Sequence, residues 1–275
     1  MNTTFITATP EQALRARARA VWEAGDFGLI ARHSEPAAAE FIERLPLAPG
    51  QRVLDVACGT GNLALPAARR GAFVCGLDIA PKLLEQARVR AAAEGLAIEF
   101  TEGDAEALPY PAGRFDVVVS MFGVMFAPRP ERAAAELLRV CRPGGLIALA
   151  NWATEGFIAE TFGLLARHVP PQPGTVSPLL WGDPVTARAR LGGDEVEAQF
   201  ERRVARLAFP FPPAQAVDFF RQFFGPTVKA FATLDPAGQG RLRAELETLF
   251  TTHNRDRNGG TVFEAEYLEV LVSRP

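Results

Sequence analysis

Lysine is nearly absent from this chain: only Lys82 and Lys229 occur in 275 residues, so the 29 basic side chains are almost all arginine. With 32 acidic residues against them the net charge is −3, leaving no basic surplus for a nucleic-acid backbone or an anionic membrane surface. Cysteine is scarce too. Cys58, Cys75 and Cys141 form no C-x-x-C pair and, being three, cannot all pair within the chain, which points to a reducing, cytoplasmic setting. No acidic or His/Cys cluster has metal-ligand spacing, so no metal is expected. No run approaches the roughly 18 apolar residues that span a bilayer, and the opening Met-Asn-Thr-Thr-Phe lacks the apolar stretch of a signal peptide. Arg15, Arg17 and Arg19 are flanked by Glu11 and Glu23 and read as an exposed helix face rather than a transit peptide.

What is present is a rhythm. Helices are expected over 10–24 and 36–45, the second opened by Ser34 and Pro36 as cap and first-turn proline. Short apolar strands are expected at 52–57, 72–77, 97–101, 115–120 and 146–152, with helices through Arg70, over 81–94 and over 129–141. Strands alternating with helices imply βαβ units and a parallel sheet, and strands this apolar imply helices on both faces. Beyond residue 152 the pattern changes. A helix at 156–168 precedes an irregular stretch set by Pro170, Pro171, Pro173 and Pro178. A long strand follows at 198–211, then helices over 214–234 and 235–252, then a final strand at 262–273. The expected fold is α/β: a Rossmann-like, doubly wound, mostly parallel sheet with an antiparallel last strand and a helical C-terminal cap. It forms one domain over 1–275, with a core at 36–152, cap insertions at 153–258 and the final strand at 262–273.

The most informative segment is Val53-Leu-Asp-Val-Ala-Cys-Gly-Thr-Gly61, a strand running into a glycine turn and then a helix. Gly59 and Gly61 allow positive φ and a close backbone approach to a ligand. Gly59-Thr-Gly61-Asn-Leu-Ala64 alone also satisfies the dinucleotide pattern G-x-G-x-x-G/A. Three acids separate the possibilities. Asp55, four residues before Gly59, suits an ammonium group and would repel a pyrophosphate. Asp78, 17 residues after Gly61, can accept from two ribose hydroxyls. Asp104 can accept from an adenine amino group. Each acid also has a structural alternative: Asp55 as a helix cap, Asp78 and Asp104 as turn residues.

With these residues in place the chain resembles the class I S-adenosylmethionine (SAM)-dependent methyltransferases. It is most similar to the ubiquinone/menaquinone C-methyltransferase-like branch, the methyltransferase type 11 domain. Asp55–Gly61 matches the family's first motif, Asp78 its ribose-binding acid and Asp104-Ala105 its adenine-contacting pair. Phe115–Ser120 matches the strand before the reaction site, and Arg139–Gly145 the turn before the fifth strand. The resemblance covers about residues 36–152. It implies SAM as cofactor, held by Asp55, Ala57, Cys58, Gly59, Thr60, Gly61, Asp78, Ile79, Asp104, Ala105 and Ser120.

Methyl transfer from a sulfonium asks the protein for alignment, dryness and sometimes a base. The segment Ser120–Phe126 is expected to line the reaction cavity, with Met121, Phe122, Met125 and Phe220 forming an acceptor pocket. Of the three histidines, His33 is the better-placed candidate base, although a surface role at a helix entry is its alternative. Twelve of the twenty phenylalanines follow residue 152. Phe157, Phe162, Trp181, Phe219, Phe220, Phe223 and Phe224 could cover a small apolar or aromatic acceptor, with residues 169–178 and 214–224 as a lid. The competing functions are an NAD-dependent oxidoreductase, which needs a Tyr–Lys pair or equivalent that is not evident, and a non-catalytic SAM-binding protein. The partner expected is a small-molecule acceptor, with neither nucleic acid nor membrane insertion.

Overall fold

A computed structural model describes residues 9–193 and 196–274. Helix α1 (Pro10–Trp22) begins at a capping box in which Thr9 and Gln12 exchange side-chain and backbone hydrogen bonds. The short α2 (Phe27–Ala31) is capped by Asp26 and runs through a 3-10 turn at Arg32–Ser34 into α3 (Glu35–Arg44). The core then alternates as expected: β1 (Arg52–Val56), α4 (Ala64–Arg69), β2 (Phe73–Asp78), α5 (Pro81–Ala93), β3 (Ile98–Glu102), β4 (Phe115–Met121), α6 (Pro130–Val140) and β5 (Cys141–Trp152). Proline at the first turn opens α1, α3, α5 and α6, where its missing N–H costs nothing. Residues 142–145 bulge out of the β4–β5 pairing, which steps from Phe115↔Cys141 to Val117↔Leu146.

The second half adds α7 (Phe157–His168), α8 (Pro184–Arg190), β6 (Glu197–Phe209), α9 (Pro213–Phe223), α10 (Gly225–Thr233), α11 (Pro236–His253) and β7 (Thr261–Ser273). The helix expected over 214–234 is thus two helices, broken at Phe224 before Gly225-Pro226, because proline cannot continue the preceding turn. The 198–211 strand is one residue longer at its start and two shorter at its end.

The seven strands form one sheet in the order β3-β2-β1-β4-β5-β7-β6. β1 pairs in parallel with β2 and β4, and β5 continues the parallel run. β7 is antiparallel to both β5 and β6, as expected of the final strand. Because β6 pairs along its whole length with β7, residues 197–209 extend the sheet instead of capping it. Val53, Leu54 and Val56 in β1 and Val117, Val118 and Val119 in β4 are essentially fully buried, as covering helices require. Successive strands are added outward in one direction from β1 to β3 and in the other from β4 to β5, and this switch between the parallel neighbours β1 and β4 opens a crevice at their C-terminal ends.

Candidate active site

That crevice is the mouth of a cavity of about 1530 Å³, counting the space at its opening. Ala57, just past β1, and Phe122, just past β4, both hold left-handed backbone (φ 54° and 56°) although neither is glycine. Such strain at two adjacent strand ends needs surrounding structure to hold it. Here Phe122 N–H donates to the Ala150 carbonyl at 2.8 Å, and its ring stacks on Trp152 with centroids 3.4 Å apart and planes 8° off parallel. Gly123 lies so near the first strand end that a Cβ there would sit 2.5 Å from the Ala57 carbonyl oxygen.

Around the glycine turn, Gly59 (φ 53°) faces open space and its N–H donates to Asp78 Oδ2 at 2.8 Å. The other Asp78 oxygen accepts from Ala80 N–H, also at 2.8 Å. Burial drives the Asp78 carboxyl up to about 6, against the lowering pull of the Ala80, Gly59 and Ile79 amides. Asp55 is buried beside it and raised well above the ordinary carboxylate value, chiefly by burial and further by the Asp78 charge. Asp55 Oδ2 accepts from Ala64 N–H at 3.0 Å, so it does cap the start of α4 while still lining the cavity. Asp104 accepts from Glu106 N–H at 2.9 Å in a local turn and also lines the cavity, with Ala105. Both acids thus make a local structural hydrogen bond and also line the cavity.

The structure brings His33, Asp55, Ala57, Cys58, Gly59, Thr60, Asp78, Ile79, Asp104, Ala105, Met121, Phe122 and Phe220 onto one cavity wall. Three expected residues do not line it. The Ser120 hydroxyl is buried, donates to the Val56 carbonyl at 2.6 Å and accepts from Val124 N–H at 3.0 Å, so it clasps β1 to the turn after β4. Met125, in the 3-10 turn at Val124–Phe126, is packed in the core. Gly61 (φ 84°) makes room for the following helix, since a Cβ there would meet Leu65 Cδ1 at 2.6 Å. Of the cap aromatics, Phe157, Phe162, Phe220 and Phe224 reach the cavity, whereas Trp181, Phe219 and Phe223 do not. No residue of 169–178 lines it either, so that stretch forms no part of the cover.

The sequence reading missed a wall contributed by the N-terminal segment. Trp22 makes edge contacts with Phe27 and Phe126 at 5.1 and 4.9 Å, and all three rings line the cavity. Asn62 ties this segment to the glycine turn through Nδ2, which donates to the Ala31 carbonyl at 2.9 Å. Asn62 stands directly after Gly61, and that place beside the motif is the sequence signal for this tie. Trp152, Leu207 and Phe209 complete the far side from β5 and β6. Beyond His33 and the three aspartates, no ionisable side chain other than buried Cys58 lines the cavity among the described residues. Neither lysine nor either tyrosine faces it, so no Tyr–Lys pair for hydride chemistry is assembled there. No group of three potential metal ligands occurs among the described residues, and no described helix is long and apolar enough to cross a membrane.

Comparison with known proteins agrees with this geometry. Residues 53–145 match a methyltransferase domain family. A Mycobacterium tuberculosis protein whose own activity is uncharacterised is 38% identical over 270 residues, covering 97% of each chain. The demethylmenaquinone methyltransferase of Thermus thermophilus is 43% identical over 143 residues, 51% of this chain and 62% of its own. The fold is shared with a phosphoethanolamine N-methyltransferase of Haemonchus contortus, solved with S-adenosylhomocysteine, at a TM-score of 0.56 and 17% identity over 87% of this chain and 52% of that one. The chain belongs to the class I SAM-dependent methyltransferases, with S-adenosylmethionine as its cofactor.

Proposed function

We propose that this methyltransferase acts on a small, uncharged, aromatic or otherwise apolar acceptor. The observation that carries the reading is the division of the cavity wall. The acids gather at one end of the sheet, Asp55 within β1, Asp78 at the last position of β2 and Asp104 just after β3, while the remainder is built from Trp22, Phe122, Phe126, Trp152, Phe209 and Phe220 with their apolar neighbours. No arginine or lysine lines the cavity among the described residues, so a phosphorylated or carboxylated acceptor would enter without a counter-charge. Flat aromatic surfaces such as the Phe122–Trp152 stack favour a planar guest.

The crevice fits the cofactor on its own geometry. Gly59 leaves bare backbone beside a buried carboxylate, Asp78, whose remaining lone pairs suit the ribose hydroxyls. On this reading Asp55 takes the amino group and Asp104-Ala105 the adenine, all three lining the cavity. When bound, the cofactor supplies an already activated methyl group, so the chain's tasks are alignment and exclusion of water. Turnover of SAM to S-adenosylhomocysteine with a panel of planar aromatic, aliphatic and phosphorylated acceptors tests the reading. Preferential turnover of phosphorylated or carboxylated acceptors would overturn it.

A further inference from the structure

His33 stands where the two halves of the cavity meet. On one side its neighbours Ala31 and Ser34 are joined to Asn62 next to the glycine turn, at 2.9 and 3.5 Å. On the other, its ring lies against Phe209 at 4.0 Å and meets Phe219 edge-on at 5.8 Å. Its Nδ1 is 2.6 Å from the Ala208 carbonyl oxygen. A carbonyl only accepts, so the proton of the neutral ring is on Nδ1, and Nε2 carries a bare lone pair. Among the described residues Nε2 makes no hydrogen bond of its own.

We infer that His33 Nε2 is the general base of the reaction and that the acceptor is a phenol, methylated on its hydroxyl oxygen. This rests on the aromatic-acceptor reading above. A phenol is mostly un-ionised near neutral pH and a poor nucleophile until its proton is withdrawn. An aromatic amine is already un-ionised and needs no base to attack, an alkylamine is an ammonium near neutral pH and falls outside the uncharged acceptors of that reading, and a carboxylate is already ionised. In the transfer the phenolic oxygen forms a bond to the methyl carbon while the carbon–sulfur bond breaks. Its electron pair goes to sulfur, and the phenolic proton goes to Nε2, leaving an imidazolium that later returns it to water. Burial, with Arg32 adding to it, holds the ring's proton affinity below the ordinary value, which keeps the imidazole neutral and therefore free to accept a proton. The Ala208 carbonyl and Glu35 oppose it, while the facing rings from β6 and α9 are apolar.

Two measurements on the full chain test the inference. Nitrogen-15 NMR of the protein with S-adenosylhomocysteine, needing no acceptor, should show His33 neutral at about pH 7 with its proton on Nδ1. A proton on Nε2 would overturn the proposal. His33→Asn keeps an Nδ2 donor for the Ala208 carbonyl and removes Nε2. At about pH 8 the variant should lose about 100-fold or more in rate with phenol, but within about threefold with 4-nitrophenol, which is largely ionised there. The wild type's acid-side fall in kcat with phenol should vanish in the variant. Equal loss with both acceptors would make His33 a packing residue. Failure of a wild-type protein that binds S-adenosylhomocysteine to make either methyl ether would also overturn the phenol assignment. Failure to bind S-adenosylhomocysteine at all would instead remove the cofactor reading beneath it, and this proposal with it.

Discussion

Asp78 and Gly59 stand nineteen positions apart in sequence, yet the carboxylate of one accepts from the amide of the other at 2.8 Å. The strand-end acid thereby sets the shape of the glycine turn as well as offering oxygens to a ligand. Shape and recognition are therefore coupled in this pair, and the coupling has a measurable pH dependence.

Without ligand the Asp78 carboxyl is raised to about 6 by burial. Relative to the unfolded chain a raised carboxyl favours the protonated form while the site is empty, with the anion predominating only above about 6. That contribution is full below the ordinary carboxylate value and is lost as pH rises through about 6. Ribose hydroxyls favour the anion, so ligand affinity runs the opposite way. S-Adenosylhomocysteine should bind more weakly as pH falls below about 6, by up to about tenfold per unit. Asp78→Ala should cost roughly 2–4 kcal/mol of binding and flatten the dependence. Calorimetric titration between pH values on either side of 6 checks this, and a pH-independent wild type would contradict it.

Gly123→Ala should disturb the site more than one methyl suggests. Its Cβ would fall 2.5 Å from the Ala57 oxygen and 2.7 Å from the Ala57 Cβ, forcing apart the turns after β1 and β4. A loss of about 1–3 kcal/mol in stability is expected, together with weaker cofactor binding. Gly163→Ala, at a helical position where a Cβ meets nothing within 4 Å, is the control and should be neutral or slightly stabilising. Thermal denaturation of both variants makes the comparison.

Trp152→Leu removes the ring stacked on Phe122 but leaves Asp55, Asp78 and the glycine turn intact. Acceptor KM should rise by roughly tenfold or more, matching the 1–2 kcal/mol lost with an aromatic face, while S-adenosylhomocysteine affinity changes little. Equal damage to both affinities would place the stack at the cofactor end.

Helix α1 is fastened largely by surface ion pairs. Arg19 meets Glu102 at 2.7 Å, Arg132 meets Glu11 at 2.7 Å, and Arg15 approaches Asp104 at 3.9 Å. Exposed pairs weaken as salt rises. Amide exchange over residues 11–22 should therefore accelerate between low and roughly molar salt more than exchange in β1 or β4. Unchanged protection in α1 would mean that Trp22, packed on Phe27 and Phe126, holds the helix unaided.

The parallel core was readable because its central strands β1 and β4 are apolar on both faces and its acids and glycines recur at strand ends. The rest was harder for physical reasons. α2 has five residues, too few for a period to show. The cavity's rings come from Trp22, Phe122, Trp152, Phe209 and Phe220, which are neighbours only after the sheet is assembled. Side-chain direction was also hidden: Ser120 and Met125 sit in the segment that leads into the cavity, yet both turn into the interior. The lid expected at 169–178 was inferred from prolines, which mark irregular backbone but not its location.

The placement of β7 also bears on how this molecule is made. A ribosome completes β5 and β6 before it has produced the strand that separates them in the sheet. During that interval both carry unpaired backbone edges, open to other nascent chains or to each other in the wrong register. Phe209 and Leu207, which line the finished cavity, take their register in the sheet from their β7 partners Thr261 and Phe263. The acceptor end of the site is thus a late product of synthesis, while the glycine turn and its acids can form as soon as the first half of the chain has emerged.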